Sequence, residues 1–98
     1  MPVLHKPESG PAPHIDSVEP NAALPGGEIE VIGTNLGPIA FRRPVVMLGD
    51  LAASVLMSRS RRMVLRVPQE AASGKLRILQ NGAQSNAVNV EVANLLAT

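Results

Sequence analysis

Short alternating runs separated by turn residues are the feature of this sequence that most constrains its fold. In the last run, Val88, Val90 and Val92 alternate with Asn89 and Glu91, which is the two-residue period of a strand with one buried face. Comparable runs begin near residues 15, 28, 45, 53, 63 and 75, each bounded by Gly, Pro or Asn. Even spacing with short connections predicts an all-β sandwich or barrel of about seven antiparallel strands.

Turn residues between the runs add local predictions. Asn81-Gly82 is favoured in type I′ hairpins, where both positions need positive φ. Asn35 can adopt a left-handed conformation and bond its own backbone, and residues 68–73 are long enough for one helical turn only. The alternation also predicts an aliphatic core, made of Val18, Ile29, Val31, Val46, Leu48, Val55, Leu65, Val67, Leu76, Ile78, Val88 and Val90.

Composition excludes several classes of function. The 98 residues are enough for one domain. The chain has no cysteine, so a disulfide, a thiol nucleophile and a cysteine-based zinc site are excluded. Phe41 is the only aromatic residue, which argues against stacking on nucleic-acid bases or sugar rings. The net charge of +1 gives no overall bias towards nucleic acid or membranes.

The N-terminal segment differs from the rest of the chain. Residues 1–13 contain four prolines, Pro2, Pro7, Pro11 and Pro13, and proline cannot donate to a β-ladder. We therefore interpret residues 1–13 as a lead or linker and residues 14–98 as the domain. The segment lacks the apolar region of a signal peptide, and no run approaches the roughly 18 apolar residues that span a bilayer. Membrane insertion is not expected.

The order of the motifs resembles that of the IPT/TIG domains, a family of immunoglobulin-like modules. The resemblance covers about residues 13–92 and is specific because the common turn motifs occur together and in order. It departs from the family at Leu48, where many members have an aromatic residue. The matching motifs are HIDSVEP at 14–20, PGGEI at 25–29, GTNLG at 33–37, VMLGD at 46–50 with Ala53 and Val55, LRVP at 65–68 with Ala71, Ser73 and Gly74, then Asn81-Gly82 and Ser85-Asn86.

The resemblance implies more than the alternation does. It implies an immunoglobulin-like two-sheet antiparallel β-sandwich of about seven strands, in a family that is not catalytic and is often appended to other domains. Ser85 and Asn86 are expected to satisfy backbone groups of the loop before the last strand. A bacterial, extracytoplasmic or cell-surface setting is favoured, with this chain as an internal part of a longer secreted protein and Met1 added for expression. A cytoplasmic protein is the other possibility.

Residues that could carry catalysis or bind a metal are few. His14, Asp16 and Ser17 are close in sequence, and a hydrolase needs such groups in contact with an oxyanion hole. Nothing in the sequence supplies that hole, so we interpret them as solvent-facing residues of the first strand. His5 and His14 lack a nearby carboxylate cluster with ligand spacing. We therefore expect no enzyme activity, no catalytic residues, no cofactor and no metal.

Arginine is distributed unevenly along the chain. Within residues 42–66, six arginines against Asp50 give +5, while the remainder has three cations against seven acids, or −4. Arginine binds oxyanions well, so this stretch is a candidate anion site. Charged side chains also guard sheet edges against aggregation, which is the simpler interpretation. The candidate residues are Arg42, Arg43, Arg59, Arg61, Arg62 and Arg66.

Two functions follow from these observations. The first is a non-catalytic immunoglobulin-like module within a larger protein, acting as a spacer or a protein-interaction domain, with a neighbouring domain or another chain as partner. The alternative is an anion-binding module that uses the arginines to hold DNA or an acidic polysaccharide, which would make binding salt-dependent.

Overall fold

Strands and turns make up the part of the chain that the computed structural model describes, residues 12–37, 43–80 and 82–93. No helix occurs within these ranges. The nine strands are β1 (His14–Glu19), β2 (Ala22–Ala23), β3 (Glu28–Thr34), β4 (Val45–Leu48), β5 (Leu51–Arg59), β6 (Arg62–Arg66), β7 (Gly74–Gln80), β8 (Ala83–Gln84) and β9 (Val88–Val92).

The strands pair into two sheets that are connected through β5. Sheet 1 has the order β1, β3, β6 and the second part of β5; sheet 2 has the first part of β5, then β4, β7, β9 and β2, with β8 also on β7. Residues 51–53 of β5 pair with β4, and residues 54–59 pair with β6. All pairings are antiparallel except β2 with β9. This confirms the all-β, immunoglobulin-like two-sheet sandwich.

The core lies between the sheets and is aliphatic, as the alternation predicts. All the predicted core residues are buried except Val55 and Val88, which are partly buried and pack against the core. Burying such a side chain contributes about 1.5–3 kcal/mol. The core also contains residues that the sequence analysis does not include: Ile15, Ala23, Leu36 and Met63.

Strand β5 is longer than the sequence indicates. The run around Ala53 and Val55 predicts a weak, short strand, but β5 spans nine residues. The pairing with β6 shifts register between Val55 and Met57, and Leu56, the residue between them, is 45% exposed. A bulge adds one residue to one strand and breaks its two-residue period. This is why the alternation does not reveal the second half of β5.

The turns mostly have the backbone conformations that their residues predict. Asn35 has a φ of 58° and Gly82 a φ of 81°, both left-handed as predicted, while Asn81 lies outside the described residues. Within the described residues the Asn35 side chain bonds elsewhere than its own backbone: its Nδ2 donates to the carbonyl oxygen of Ala12 at 3.2 Å. Within residues 68–73 a single turn forms, over residues 68–71, in which the amide of Ala71 donates to the carbonyl of Pro68.

Ser85 and Asn86 connect the loop before β9 to both sheets. The Ser85 hydroxyl accepts from the amide of Ile78 at 2.8 Å and donates to the carbonyl of Asn86 at 2.8 Å. The Asn86 side chain accepts from the amide of Ile15 at 2.8 Å and donates to its carbonyl at 3.0 Å. The prediction that these residues satisfy loop backbone groups holds only for the carbonyl of Asn86, because the other three bonds go to backbone groups of β7 and β1.

The ends of the chain lie mostly beyond the description. Residues 1–11 and 94–98 are outside the described ranges, so the boundary between the lead and the domain stays a prediction. Pro13 is buried and β1 begins at His14. Among the described residues, no helix has the length and apolar character needed to cross a membrane.

Candidate functional site

Strand β6 places two of the candidate arginines in ion pairs. Its alternation buries Met63 and Leu65 and turns Arg62 and Arg66 outwards. Arg66 lies directly opposite Glu28 on β3, with 3.4 Å between Nη2 and Oε2. Arg62 forms an ion pair with Glu30 on the same strand. The outer face of sheet 1 therefore compensates the charge of both arginines.

The hairpin between β5 and β6 gathers two more candidates. Arg59 ends β5 directly opposite Arg62, and Arg61 is in the turn between the two strands. Both Arg59 and Arg61 are exposed, and neither forms an ion pair within the described residues. Like charges directly opposite each other on neighbouring strands are destabilising. This hairpin is the most concentrated positive charge that the described part of sheet 1 presents.

Arg43 comes just before β4 in the chain. It borders two adjoining shallow depressions in the surface, of about 190 and 360 Å³. The smaller depression also involves Pro44 and residues 55–58, and the larger one involves Val45, residues 79–80 and residues 82–84. Arg42 lies outside the described residues. The described candidates thus comprise the two paired arginines of β6, the hairpin residues Arg59 and Arg61, and Arg43, which borders the residues of β5 that precede Arg59.

The larger depression also involves a buried amide that sequence reasoning missed. Gln80 is only 3% exposed, and its Nε2 donates to the carbonyl of Asn35 at 3.1 Å. Its Oε1 is buried and has no hydrogen-bond partner among the described residues. An unsatisfied buried acceptor costs about 1–3 kcal/mol. The alternation of β7 would have indicated that Gln80 points inwards, because it continues the buried series of Leu76 and Ile78.

The outer face of sheet 2 combines apolar and basic side chains. Val45 and Leu79, which are 52% and 36% exposed, are directly paired across β4 and β7. The next pair on this face is Met47 with Arg77, and Lys75 is paired with Asn89 on β9. Neither cation forms an ion pair within the described ranges. Lys75 and Arg77 lie outside the arginine-rich window of residues 42–66, so charge counted along the sequence does not reveal this surface.

The residues considered for hydrolysis are on the surface of β1. Nε2 of His14 is 3.4 Å from Oδ1 of Asp16, and the two side chains are 57% and 51% exposed. Ser17 is exposed as well. In the part of the chain that the structure describes, no three His, Asp or Glu side chains are grouped as metal ligands.

Comparisons with known proteins agree on the fold and leave the family open. No protein-family model and no curated protein matches the chain. The solved structures that resemble it include the γ-CGTase of alkalophilic Bacillus clarkii, at 28% identity and a TM-score of 0.69. A protein crystallised with a xylogluco-oligosaccharide has 24% identity and a TM-score of 0.72. An auxiliary nutrient binding protein of Bacteroides thetaiotaomicron has 18% identity and a TM-score of 0.72.

These neighbours are much longer than this chain. The three matches cover 90%, 87% and 86% of this chain but only 13%, 20% and 21% of the respective neighbours. The fold therefore recurs as one portion of larger proteins. An immunoglobulin-like fold agrees with these matches, which do not distinguish IPT/TIG domains from other immunoglobulin-like families.

Proposed function

We propose that this chain is a non-catalytic module of a larger bacterial, extracytoplasmic protein, in which it acts as a spacer or protein-interaction domain. One observation carries the proposal: almost the whole chain matches solved structures of which it spans only 13–21%. A unit of this kind contributes a rigid sandwich and its outer faces to the protein that contains it. The bacterial source of the 28% identical neighbour supports the bacterial setting.

The IPT/TIG family is part of the same proposal. Its ordered turn motifs have structural roles in this chain, because Asn35 is left-handed and Ser85 and Asn86 bond backbone groups of both sheets. The proposal that the module has no catalytic role is supported by the position of His14 and Asp16. Both are half exposed on an open strand, whereas an acyl-transfer site holds its groups in an enclosed, preorganised pocket.

A direct test measures activity and ligand binding of the chain itself. We expect the chain neither to hydrolyse nor to bind p-nitrophenyl acetate or xyloglucan oligosaccharides. The His14→Ala variant should behave identically. Turnover that is lost in His14→Ala would contradict the non-catalytic role. Saturable oligosaccharide binding would contradict the spacer role.

The hairpin arginines support a second candidate, an anion-binding module. Arg59 and Arg62 are directly opposed and Arg61 lies between them in sequence, so an oxyanion bound at the hairpin would relieve their repulsion. The ligand would be DNA or an acidic polysaccharide. Retention on heparin or duplex DNA at low salt, lost at moderate salt and in the Arg61→Ala, Arg62→Ala variant, would favour this candidate over the spacer.

A further inference from the structure

We propose that the module binds its partner through the outer face of sheet 2, and that the partner is a protein surface with an apolar centre flanked by carboxylates. The β4–β7 face is defined here by Val45, Met47, Lys75, Arg77 and Leu79. The inference rests on the proposed function as a protein-interaction domain and adds the surface and the chemistry of the partner.

The apolar centre of this face is a pair of directly opposed side chains. Val45 and Leu79 face each other across β4 and β7 and remain 52% and 36% exposed. Single exposed aliphatic residues are common on protein surfaces. Side chains that are directly opposed have Cβ atoms about 4.5–5.5 Å apart, so these two form a continuous surface. Met47, the next outward residue of β4, extends that surface.

The cations of the β4–β7 face are not held in ion pairs by the described residues. Lys75 and Arg77 make no ion pair there, and the residue paired with Lys75 on β9 is Asn89. Glu91 lies on the same face of β9, two residues beyond Asn89. A partner that supplies carboxylates would complement both cations, and this complementarity would also steer its approach.

Protection of a sheet edge does not explain these cations. Strand β7 lies between β4 and β9, so Lys75 and Arg77 are in the interior of sheet 2. Charged residues guard edges because an edge strand has unpaired backbone groups, and an interior strand has none to protect. Edge protection therefore does not account for the two cations, which an acidic partner would complement.

The larger depression adjoins the apolar pair and offers a place for one side chain of the partner. It has a volume of about 360 Å³ and involves Val45, Leu79 and Gln80. Arg43 borders it as well and would pair with a carboxylate at its mouth. A nucleic acid or a polysaccharide would place anionic groups against cations but would leave the apolar centre exposed to water. The observations favour a protein.

The test uses synthetic peptides of fixed composition and the ¹⁵N-labelled chain. The probe is the acidic peptide Glu-Glu-Val-Leu-Glu-Glu, with capped ends. One control replaces its Val-Leu centre with Ser-Gly, and a second replaces every Glu with Lys. We expect the probe to shift amide resonances of β4 and β7, and both controls to shift them far less, because binding needs the apolar centre and the carboxylates together.

Variants of both faces locate the site. Arg77→Glu should weaken probe binding about tenfold, and Val45→Thr should weaken it as well. Arg66→Glu, the matched reversal on sheet 1, should leave binding unchanged. The spectrum of each free variant checks its fold, and unweakened binding by an Arg77→Glu or Val45→Thr variant with a dispersed spectrum counts against the proposal.

Other outcomes overturn the inference in distinguishable ways. If the Ser-Gly control binds as well as the probe, charge alone attracts the peptide and the apolar centre is not needed. If no peptide binds, the outer face of sheet 2 is not a docking surface of the proposed kind. Binding that needs both features but maps to sheet 1 would show that the face is wrong while the protein-interaction function stands. Preferential binding of heparin or duplex DNA at the hairpin of Arg59 and Arg61 would replace the proposed function itself.

Discussion

The outer faces of the two sheets use similar residues but balance their charges differently. On sheet 1, three arginines of β5 and β6 share the face with three glutamates of β1 and β3, and two ion pairs connect them. On sheet 2, Lys75 and Arg77 have no ion pair among the described residues and lie beside an exposed apolar pair. The face with more arginine is the more compensated one.

The difference shows that the net charge of a sequence segment does not give the net charge of the surface on which its residues lie. Glu28 and Arg66 are 38 residues apart, yet the register of β3 and β6 places them opposite each other. Residues 42–66, with a net charge of +5, therefore include strand β6, whose two arginines are paired with glutamates of β3. Lys75 and Arg77 of β7, which also lack such partners within the described residues, lie outside that window.

The largest expected effect is a loss of stability from a substitution in the core, which destabilises both sheets because they share that core. Leu65 is fully buried between them, whereas Leu79 is 36% exposed on sheet 2. Leu65→Ala should lower the free energy of unfolding by about 2–5 kcal/mol, as other buried leucines do. Leu79→Ala should change it by no more than about 1 kcal/mol. Urea denaturation measures both, and equal losses would contradict the separation of core and face.

A substitution of glycine should disturb sheet 1 more than sheet 2. A Cβ on Gly33 would overlap the carbonyl oxygen of His14, whereas a Cβ on Gly74 would be 3.5 Å from its nearest neighbour, Gly49. Gly33→Ala must displace β1 and should cost about 1–3 kcal/mol. Gly74→Ala should stay within about 1 kcal/mol, because the loss of chain entropy in the unfolded state offsets minor crowding.

Thermal unfolding of the two glycine variants gives the comparison. Amide exchange of β1 distinguishes local release of this strand from general destabilisation. If Gly74→Ala is the more harmful change, the close approach of β1 and β3 is not the constraint that the structure indicates.

A third substitution tests how the loop before β9 is attached to sheet 2. Ser85→Ala removes the acceptor of the Ile78 amide, and a buried donor without a partner costs about 1–3 kcal/mol. Ser54, exposed on β5, provides the control, and Ser54→Ala should change stability by less than about 0.5 kcal/mol. Faster exchange of the Ile78 amide in Ser85→Ala would identify the lost bond. Unchanged exchange at that amide would contradict its role.

The parts of the fold that could be predicted from the sequence rest mainly on two signals, the alternation of apolar residues and the residue types in the turns. The core requires only the period of each run, so Leu76 and Ile78 could be assigned without knowledge of their neighbours. The predicted turn at Asn35 needs only local backbone preference. The second half of β5 could not be assigned, because the bulge at Leu56 breaks the period on which such an assignment depends.

The candidate site was less accessible from sequence because it depends on which strands are neighbours. Nothing in a single sequence states that β6 lies beside β3, so the pairing of Arg62 with Glu30 could not be foreseen. The exposed pair of Val45 and Leu79 has the same origin, since each is an ordinary residue of its own strand. Which side chains are neighbours on a surface depends on the register between strands. For strands far apart in sequence, that register is set by how the sheets pack.

The smallest expected effect sharpens the comparison of the two faces most directly. Arg66→Glu places a carboxylate opposite Glu28 on sheet 1, so ion pairing is lost and repulsion is gained. Arg77→Glu removes a cation that has no ion pair within the described residues of sheet 2. Exposed pairs are worth up to about 1 kcal/mol, and we expect Arg66→Glu to be less stable than Arg77→Glu by up to that amount.

Salt should identify the electrostatic origin of this difference. At about 1 M salt the Debye length falls to about 3 Å, so urea midpoints of the two reversals should converge as sodium chloride is added. If Arg66→Glu and Arg77→Glu are equally stable at low salt, the ion pairs contribute no net stability to sheet 1. A difference that persists at high salt would instead indicate that Arg66 stabilises sheet 1 by packing its aliphatic stem.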